Sequence, residues 1–231
     1  MIAENLAAVR RNIEAAKARR TLTPKEAGVL LVAVTKNHPV AAMREAVAAG
    51  VRDVGENRVQ EALQKQAEMG AEEVCWHLIG HLQTNKARQA VQHFQLIHSV
   101  DTEHLAGALD KEAGKIGKVQ DILVQVNLAK EESKSGFFRE ELQGALEYID
   151  ALPGLRIRGL MCMAPAYEDV EECRPLFREM YGIYRKIQEM EWRAANIKYL
   201  SMGMTHDYEI AVEEGSNIVR VGTAIFGPRE Y

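Results

Sequence analysis

Lys36 is the residue of this sequence whose type and position most directly suggest chemistry. It ends the segment 29–36, whose apolar, β-branched residues show no polar alternation and therefore predict a strand buried on both faces. Pro39 and the periodic segment 40–49 then predict a helix. In α/β folds the carboxyl end of such a strand faces the active site, where a lysine amine can condense with a carbonyl group. The alternative is an ordinary solvated lysine in a loop.

A second set of residues, close to the carboxyl terminus, is suited to holding an anion. Segments 201–205 and 220–224 supply hydroxyl groups and glycines. Barrel proteins often bind phosphate with the loops that follow the seventh and eighth strands, because glycine lets backbone N–H groups approach the anion and hydroxyls add donors. Gly203 and Gly222 are equally compatible with a role as simple turn glycines.

A lysine amine and a phosphate site on one rim together suggest a cofactor that carries both an aldehyde and a phosphate. Pyridoxal 5′-phosphate (PLP) carries both, and its aldehyde forms a Schiff base with a lysine amine. A phosphorylated sugar, as in a Schiff-base aldolase, is the competing ligand. An aldolase lysine more often lies on a later strand beside carboxylates, which the predicted rim does not offer.

Alternating strands and helices are predicted to position these residues. The predicted strands cover residues 29–36, 51–55, 74–80, 94–100, 121–127, 156–163, 199–201 and 217–222. Each is followed by a helical or capping segment, so we expect one (β/α)8 TIM barrel domain over residues 1–231. An open doubly wound sheet would usually show a G-x-G-x-x-G turn after its first strand, which is missing here. Residues 1–20 predict an extra amphipathic helix at the amino terminus.

Composition narrows the class of protein. The chain has 231 residues and a net charge of −4. This charge balance does not indicate a basic surface for binding nucleic acid or an anionic membrane. Its apolar runs are strand-sized, and no targeting signal is evident. Three cysteines without a CxxC pair indicate reduced thiols in a cytoplasmic protein, and neither a zinc site nor a disulfide framework is predicted.

Two further residues belong to the predicted rim. Asn57 follows the second strand, and we expect it to touch the ligand or to orient Lys36. His77 lies on the third strand beside Trp76, so two interpretations remain open for it: a residue that lines the ligand, or a packed core residue.

Several stretches of the sequence match one protein family in order. They are Ala33–Lys36, Gly55–Asn57, Trp76–Lys86, Ser133–Gly136, Arg158–Met161 and Leu200–Gly227. On these the chain resembles the YggS/PROSC family of pyridoxal phosphate homeostasis proteins, which is similar to the amino-terminal barrel of alanine racemase. Departures from the family pattern are small: Leu78 replaces Phe or Met, and Thr205-His206 replaces Ser-Asp or Ser-Ala. Thr205 keeps the hydroxyl.

The resemblance implies roles for individual residues. Lys36 would hold PLP as a Schiff base, and Ser201, Gly222 and Thr223 would hold its phosphate, with Gly203 in the same loop. Arg220 matches the arginine that faces the pyridine nitrogen in alanine racemase. Because arginine keeps its proton, the ring would stay unprotonated and would be a poor electron sink.

Two functions follow as alternatives. The first is a PLP carrier that acts in PLP homeostasis without robust catalysis, a monomer whose transient partners are apo forms of PLP-dependent enzymes. The second is an amino-acid racemase of the alanine racemase type. A two-base racemase needs a second proton donor opposite the lysine. In alanine racemase a separate carboxyl-terminal domain supplies it, and we expect that domain to be missing from this chain.

Overall fold

Eight parallel strands close into a barrel in which each strand pairs with its neighbours in chain order. The structure is a computed structural model that describes residues 1–70, 74–131 and 134–228. Strands β1 to β8 are Leu30–Val34, Asp53–Glu56, Cys75–Leu78, Leu96–Val100, Gln120–Val126, Leu155–Cys162, Tyr199–Met204 and Ile218–Val221. The prediction of a (β/α)8 TIM barrel is confirmed. All carboxyl ends of the strands therefore meet at one rim.

Helices surround the barrel and connect consecutive strands. Helices α1 to α9 are Ile2–Ala18, Val40–Ala48, Val59–Met69, Ala87–His93, Glu103–Lys115, Leu142–Asp150, Cys173–Gln188, Tyr208–Glu213 and Thr223–Phe226. The predicted amino-terminal helix is α1, which is anchored to the last helices by its polar side chains. Asn12 donates from Nδ2 to the Tyr208 hydroxyl at 3.0 Å, and Asn5 donates to the Ile225 carbonyl at 3.0 Å.

Two hydrophobic clusters hold the fold together. The larger one fills the layer between the helices and the outside of the barrel. The smaller one lies apart from it on the inward-facing side of the strands and comprises Val32, Leu96, Leu123, Met161 and Ile218. Because inward and outward side chains alternate along each strand, one strand contributes to both clusters. Val32 belongs to the inner cluster, whereas Ala33 belongs to the outer one.

The barrel closes where the first strand pairs with the last. Residues Leu30 and Ala33 of β1 pair with Ile218 and Val221 of β8. One step further along, a Cβ atom on Gly222 would lie only 3.2 Å from the Val34 carbonyl oxygen, so the two backbones approach closely there. Closure therefore places Lys36, two residues beyond Val34, next to the segment that follows β8.

Some element boundaries differ from the sequence predictions. The seventh strand extends to Met204 rather than Ser201, and Gly203 within it has a φ of +95°. A Cβ atom there would collide with Ala211 and Tyr208 of α8, so this glycine lets the helix pack onto the strand. The predicted helix at Glu56 begins only at Val59, because Glu56 still belongs to β2.

Within the described residues, no helix has the length and apolar character needed to cross a membrane.

Candidate cofactor-binding site

Lys36 lies at the rim, two residues after the end of β1, and its side chain is half-buried. The residue before it, Thr35, is fully buried, and the residue after it, Asn37, has a left-handed backbone with φ of 61°. Left-handed backbone is uncommon for residues other than glycine and is maintained by surrounding contacts. The backbone on both sides of Lys36 is therefore fixed.

A buried ion cluster behind Lys36 provides those contacts. The ammonium group of Lys65, on α3, donates to the Thr35 carbonyl oxygen at 2.6 Å and to Oε1 of Glu56 at 2.7 Å. It also contacts Oε1 of Glu61 at 2.8 Å, and this same oxygen accepts the backbone N–H of Asn37 at 2.6 Å. Lys65 and Glu61 thus hold the residues on either side of Lys36.

The pKa values of the two carboxylates of the cluster shift in opposite directions. Burial raises the pKa of Glu56, although hydrogen bonds from Lys65 and Thr35 oppose the change. Burial also acts to raise the pKa of Glu61, but its bonds to Lys65 and to the Asn37 backbone outweigh burial and lower it. Glu56 is fully enclosed, so its charge depends on the single ammonium group of Lys65.

Donor groups follow β7 and β8 at the same rim. The backbone N–H of Gly222 donates to the Thr205 hydroxyl at 3.3 Å, and both residues are half-buried. Thr223, the next residue, is exposed. The rings of His38 and Phe226 stack with centroids 4.9 Å apart, so the segment after Lys36 packs against α9. The hydroxyl and glycine groups therefore lie in the neighbourhood of the lysine.

Ser201 and Arg220 lie inside the barrel rather than at its open rim. Both are buried, and Arg220 Nη1 donates to Ser201 Oγ at 2.5 Å. Arg220 Nη2 donates to the Cys162 carbonyl oxygen at 3.0 Å. The Ser201 oxygen is thus already occupied by partners inside the barrel. Burial lowers the pKa of Arg220 from its ordinary value, while the nearby Cys162 and Asp207 side chains oppose the change.

His77 lies inside the barrel rather than at the open rim. Its Nδ1 is 2.8 Å from Nε2 of His98, and its Nε2 is 3.0 Å from Oδ1 of Asp53 at the amino end of β2. His98 in turn contacts Ser201 Oγ through Nδ1 at 2.9 Å. Of the two interpretations of His77, the structure favours a buried residue with polar partners.

Asn57 is at the rim and half-buried. A Cβ atom on Gly80 would collide with the Asn57 backbone, so the segments after β2 and β3 lie against each other there. Beside them is a cleft of about 310 Å³, whose lining includes Asn57, Arg58, His81 and Lys86.

Asn127 forms hydrogen bonds to the backbone of the loop after β5. Its side-chain amide donates to the carbonyl oxygens of Glu131 and Lys134 at 2.9 and 3.0 Å. Lys134 donates to the Ala164 carbonyl at 3.1 Å and forms an ion pair with Glu131. Ser133, which belongs to one of the matching stretches, lies outside the described residues.

A possible ligand set for a metal ion was not evident from the sequence. Asp53, Cys75 and His77 each bring one potential ligand atom within 4.8 Å of the others. The cysteine spacing could not reveal this, because adjacent strands bring the residues together. In this structure His77 bonds directly to Asp53, and burial, with Asp53 nearby, raises the pKa of the Cys75 thiol to about 12.

The fold and the sequence define the class of protein. The model of the family "Alanine racemase, N-terminal domain" matches residues 5–230, so the chain belongs to this family. A pyridoxal phosphate homeostasis protein of Aquifex aeolicus is 42% identical over 201 residues, which is 87% of each chain. One of Pseudomonas aeruginosa is 40% identical over 230 residues, or 100% of this chain and 96% of the relative. Within the family, this chain groups with the pyridoxal phosphate homeostasis proteins.

Solved structures agree with this placement. PipY of Synechococcus elongatus PCC7942, in a structure described as having PLP bound, is 43% identical and has a TM-score of 0.84. The match covers 98% of this chain and 100% of PipY. Alanine racemase from Bartonella henselae has a TM-score of 0.72 at 14% identity, with 99% of this chain and 58% of that chain covered. This second likeness shows a shared fold.

The buried ion cluster leads to a stability prediction. Replacing Lys65 by Met would leave the Glu56 carboxylate enclosed without its ammonium partner, so we expect a loss of about 3–5 kcal/mol in the free energy of unfolding. Urea denaturation measures it. The double variant Lys65→Met/Glu56→Gln should regain part of the loss, because no buried charge is then left unpaired.

Lys111→Met is the matched control, because Lys111 is exposed on α5. It should change the free energy of unfolding by no more than about 0.5 kcal/mol. A Lys65→Met protein as stable as this control would show that the cluster contributes little.

Proposed function

We propose that this protein binds PLP through Lys36 and acts in PLP homeostasis as a carrier of the cofactor in the cytoplasm. The observation that carries the proposal is the closure of the barrel, which sets the segment with Lys36 beside Gly222 and Thr223. An amine for the aldehyde and donors for the phosphate then share one rim. The names of the relatives and the PLP-bound PipY structure support this function.

The residues at the rim fit the phosphate of PLP by their donor chemistry. Thr205 and Gly222 already approach each other at 3.3 Å, and Thr223 is open to solvent. Backbone N–H groups and hydroxyls at such a position can bind a phosphate dianion through charge-assisted hydrogen bonds. Ser201 was predicted to share this role, but its oxygen is buried and occupied. We therefore assign the phosphate to Thr205, Gly222 and Thr223, and give Ser201 the task of supporting Arg220.

Arg220 and Asn57 complete the proposed site. When bound, PLP supplies an aldehyde that condenses with a lysine amine and a pyridine ring that can withdraw electrons from a substrate. Arg220 would donate a hydrogen bond to the ring nitrogen, and Asn57, which follows the second strand, would flank Lys36. Guanidinium does not release its proton to the ring, because arginine keeps its proton in proteins.

The relatives, which are pyridoxal phosphate homeostasis proteins, favour a carrier over a racemase, whereas Arg220, which matches the arginine of alanine racemase, is compatible with both functions. A racemase must stabilise negative charge at the α-carbon of its substrate, and an unprotonated pyridine ring does so poorly. Reversible capture of an aldehyde makes no such demand. Binding and release of PLP therefore require less of the site than turnover of amino acids does.

The covalent link is the first point to test. After incubation with PLP and reduction with borohydride, peptide mass mapping should find the pyridoxyl group on Lys36, because its amine shares the rim with the phosphate donors. Lys36→Ala should lose the label, whereas Lys134→Ala, which changes another rim lysine, should keep it. A label carried mainly by a different lysine in the wild-type protein would contradict the assignment.

The phosphate donors predict a preference between vitamers. Thr205→Val removes one hydroxyl that bonds a charged group, so the dissociation constant for PLP should rise about tenfold or more. The constant for pyridoxal, which has no phosphate, should stay within about twofold by the same fluorescence titration. Thr205→Ser keeps the hydroxyl and serves as the control. Equal losses for both vitamers would place Thr205 outside the phosphate site.

The choice between carrier and racemase rests on two assays. Single enantiomers of alanine and other common amino acids, incubated with the PLP-loaded protein, should change chirality no faster than with free PLP. Mixing the loaded protein with an apo PLP-dependent enzyme should restore that enzyme's activity. Efficient racemisation that disappears in Lys36→Ala would instead identify an enzyme.

A further inference from the structure

A continuous chain of hydrogen bonds runs through the interior of the barrel. It links Arg220, Ser201, His98, His77 and Asp53, which belong to β8, β7, β4, β3 and β2. We call these five side chains the interior chain. The four contacts measure 2.5, 2.9, 2.8 and 3.0 Å in that order. The four members other than Asp53 are buried, so each needs its partners inside the protein.

The two ends of the interior chain set its direction. Arg220 can only donate, so Ser201 Oγ accepts from it. The Asp53 carboxylate can only accept, so Nε2 of His77 carries a proton and donates to it. With both histidines neutral, Nδ1 of His77 accepts from His98, and Nδ1 of His98 accepts from the Ser201 hydroxyl. Every donor then points away from Arg220 and every group is satisfied.

The reverse direction fails at Ser201. If His98 donated through Nδ1, Ser201 Oγ would accept from both His98 and Arg220, and its own O–H would have no acceptor among the described contacts. A buried hydroxyl without an acceptor is unfavourable. Burial, with His77 and Arg220 nearby, lowers the pKa of His98 well below its ordinary value, in keeping with a neutral ring.

The guanidinium group depends on this chain for its orientation. Its two described hydrogen-bond acceptors are Ser201 Oγ and the Cys162 carbonyl oxygen, neither of which carries a charge. A serine hydroxyl can rotate, and it offers its lone pair to Arg220 only while its hydrogen is directed elsewhere. His98 supplies that direction, and His77 with Asp53 fixes the tautomer of His98.

We propose that His98, acting through Ser201, is a positioning residue that holds Arg220 in the orientation required to bind the ring nitrogen of PLP. The inference rests on the proposed function, because it assigns a purpose to the chain only if PLP binds above Arg220. It extends the binding site down to the base of the barrel, to residues that never touch the cofactor.

The test compares PLP with 1-deaza-PLP, in which a CH group replaces the ring nitrogen. Ser201→Ala and His98→Phe should raise the dissociation constant for PLP about tenfold and leave that for 1-deaza-PLP within about twofold, because only PLP can accept from Arg220. His98→Gln keeps a donor and an acceptor and should recover part of the affinity. His104→Gln, at an exposed position of α5, is the control.

A second readout needs no cofactor. Nitrogen-15 NMR of the histidine rings in the apo protein should show His77 and His98 as neutral rings protonated at Nε2, and Ser201→Ala should shift the Nδ1 resonance of His98. This measurement keeps the proposal testable if His98→Phe does not fold.

The outcomes separate the inference from the proposed function. Equal weakening of PLP and 1-deaza-PLP, unchanged affinity for both, or an Nδ1-protonated His98 would overturn the positioning role while PLP binding by the wild-type protein stands. Wild-type protein that binds neither compound would overturn the proposed function itself.

Discussion

Closure of the barrel between β1 and β8 is the constraint on which the candidate site depends. The lysine lies near the start of the chain and the phosphate donors near its end, and only the pairing of the first and last strands makes them neighbours. Backbone hydrogen bonds of a parallel ladder fix the register, so the relation between Lys36 and Gly222 does not rely on flexible side chains. A Cβ atom on Gly222 would lie 3.2 Å from the Val34 carbonyl oxygen, so a larger residue there would require β1 to shift by a few tenths of an ångström.

Two buried polar systems stabilise this arrangement from behind. The ion cluster of Lys65, Glu56 and Glu61 fixes the backbone around Lys36, and the interior chain fixes Arg220. Both place charge where water is excluded, which is favourable only when each group has its partners. They differ in one respect. The ion cluster pairs opposite charges directly, whereas the interior chain separates Arg220 from Asp53 by three neutral groups.

Sequence patterns predict the architecture of this protein well and the depth of its side chains poorly. The alternation of strands and helices was sufficient for the barrel, and it also placed Lys36 at the carboxyl end of a buried strand, while the role of Lys36 stays a prediction. Ser201 and His77 were assigned to the rim because they lie near predicted strand ends. The true end of β7 is three residues later than predicted, which leaves Ser201 inside. Lys65 escaped notice because lysines are usually solvated, although its spacing of four from Glu61 on a helix was a usable signal.

The direction of the hydrogen bonds in the interior chain has a consequence for proton transfer. A row of hydroxyl and imidazole groups ordinarily conducts protons, since each member can pass one on as it receives another. Here the first member is a guanidinium, which does not give up its proton near neutral pH. Protons therefore cannot pass through Arg220 to the candidate site. The row still fixes the orientation of Arg220. It also separates the site from protons in the solvent at the base of the barrel.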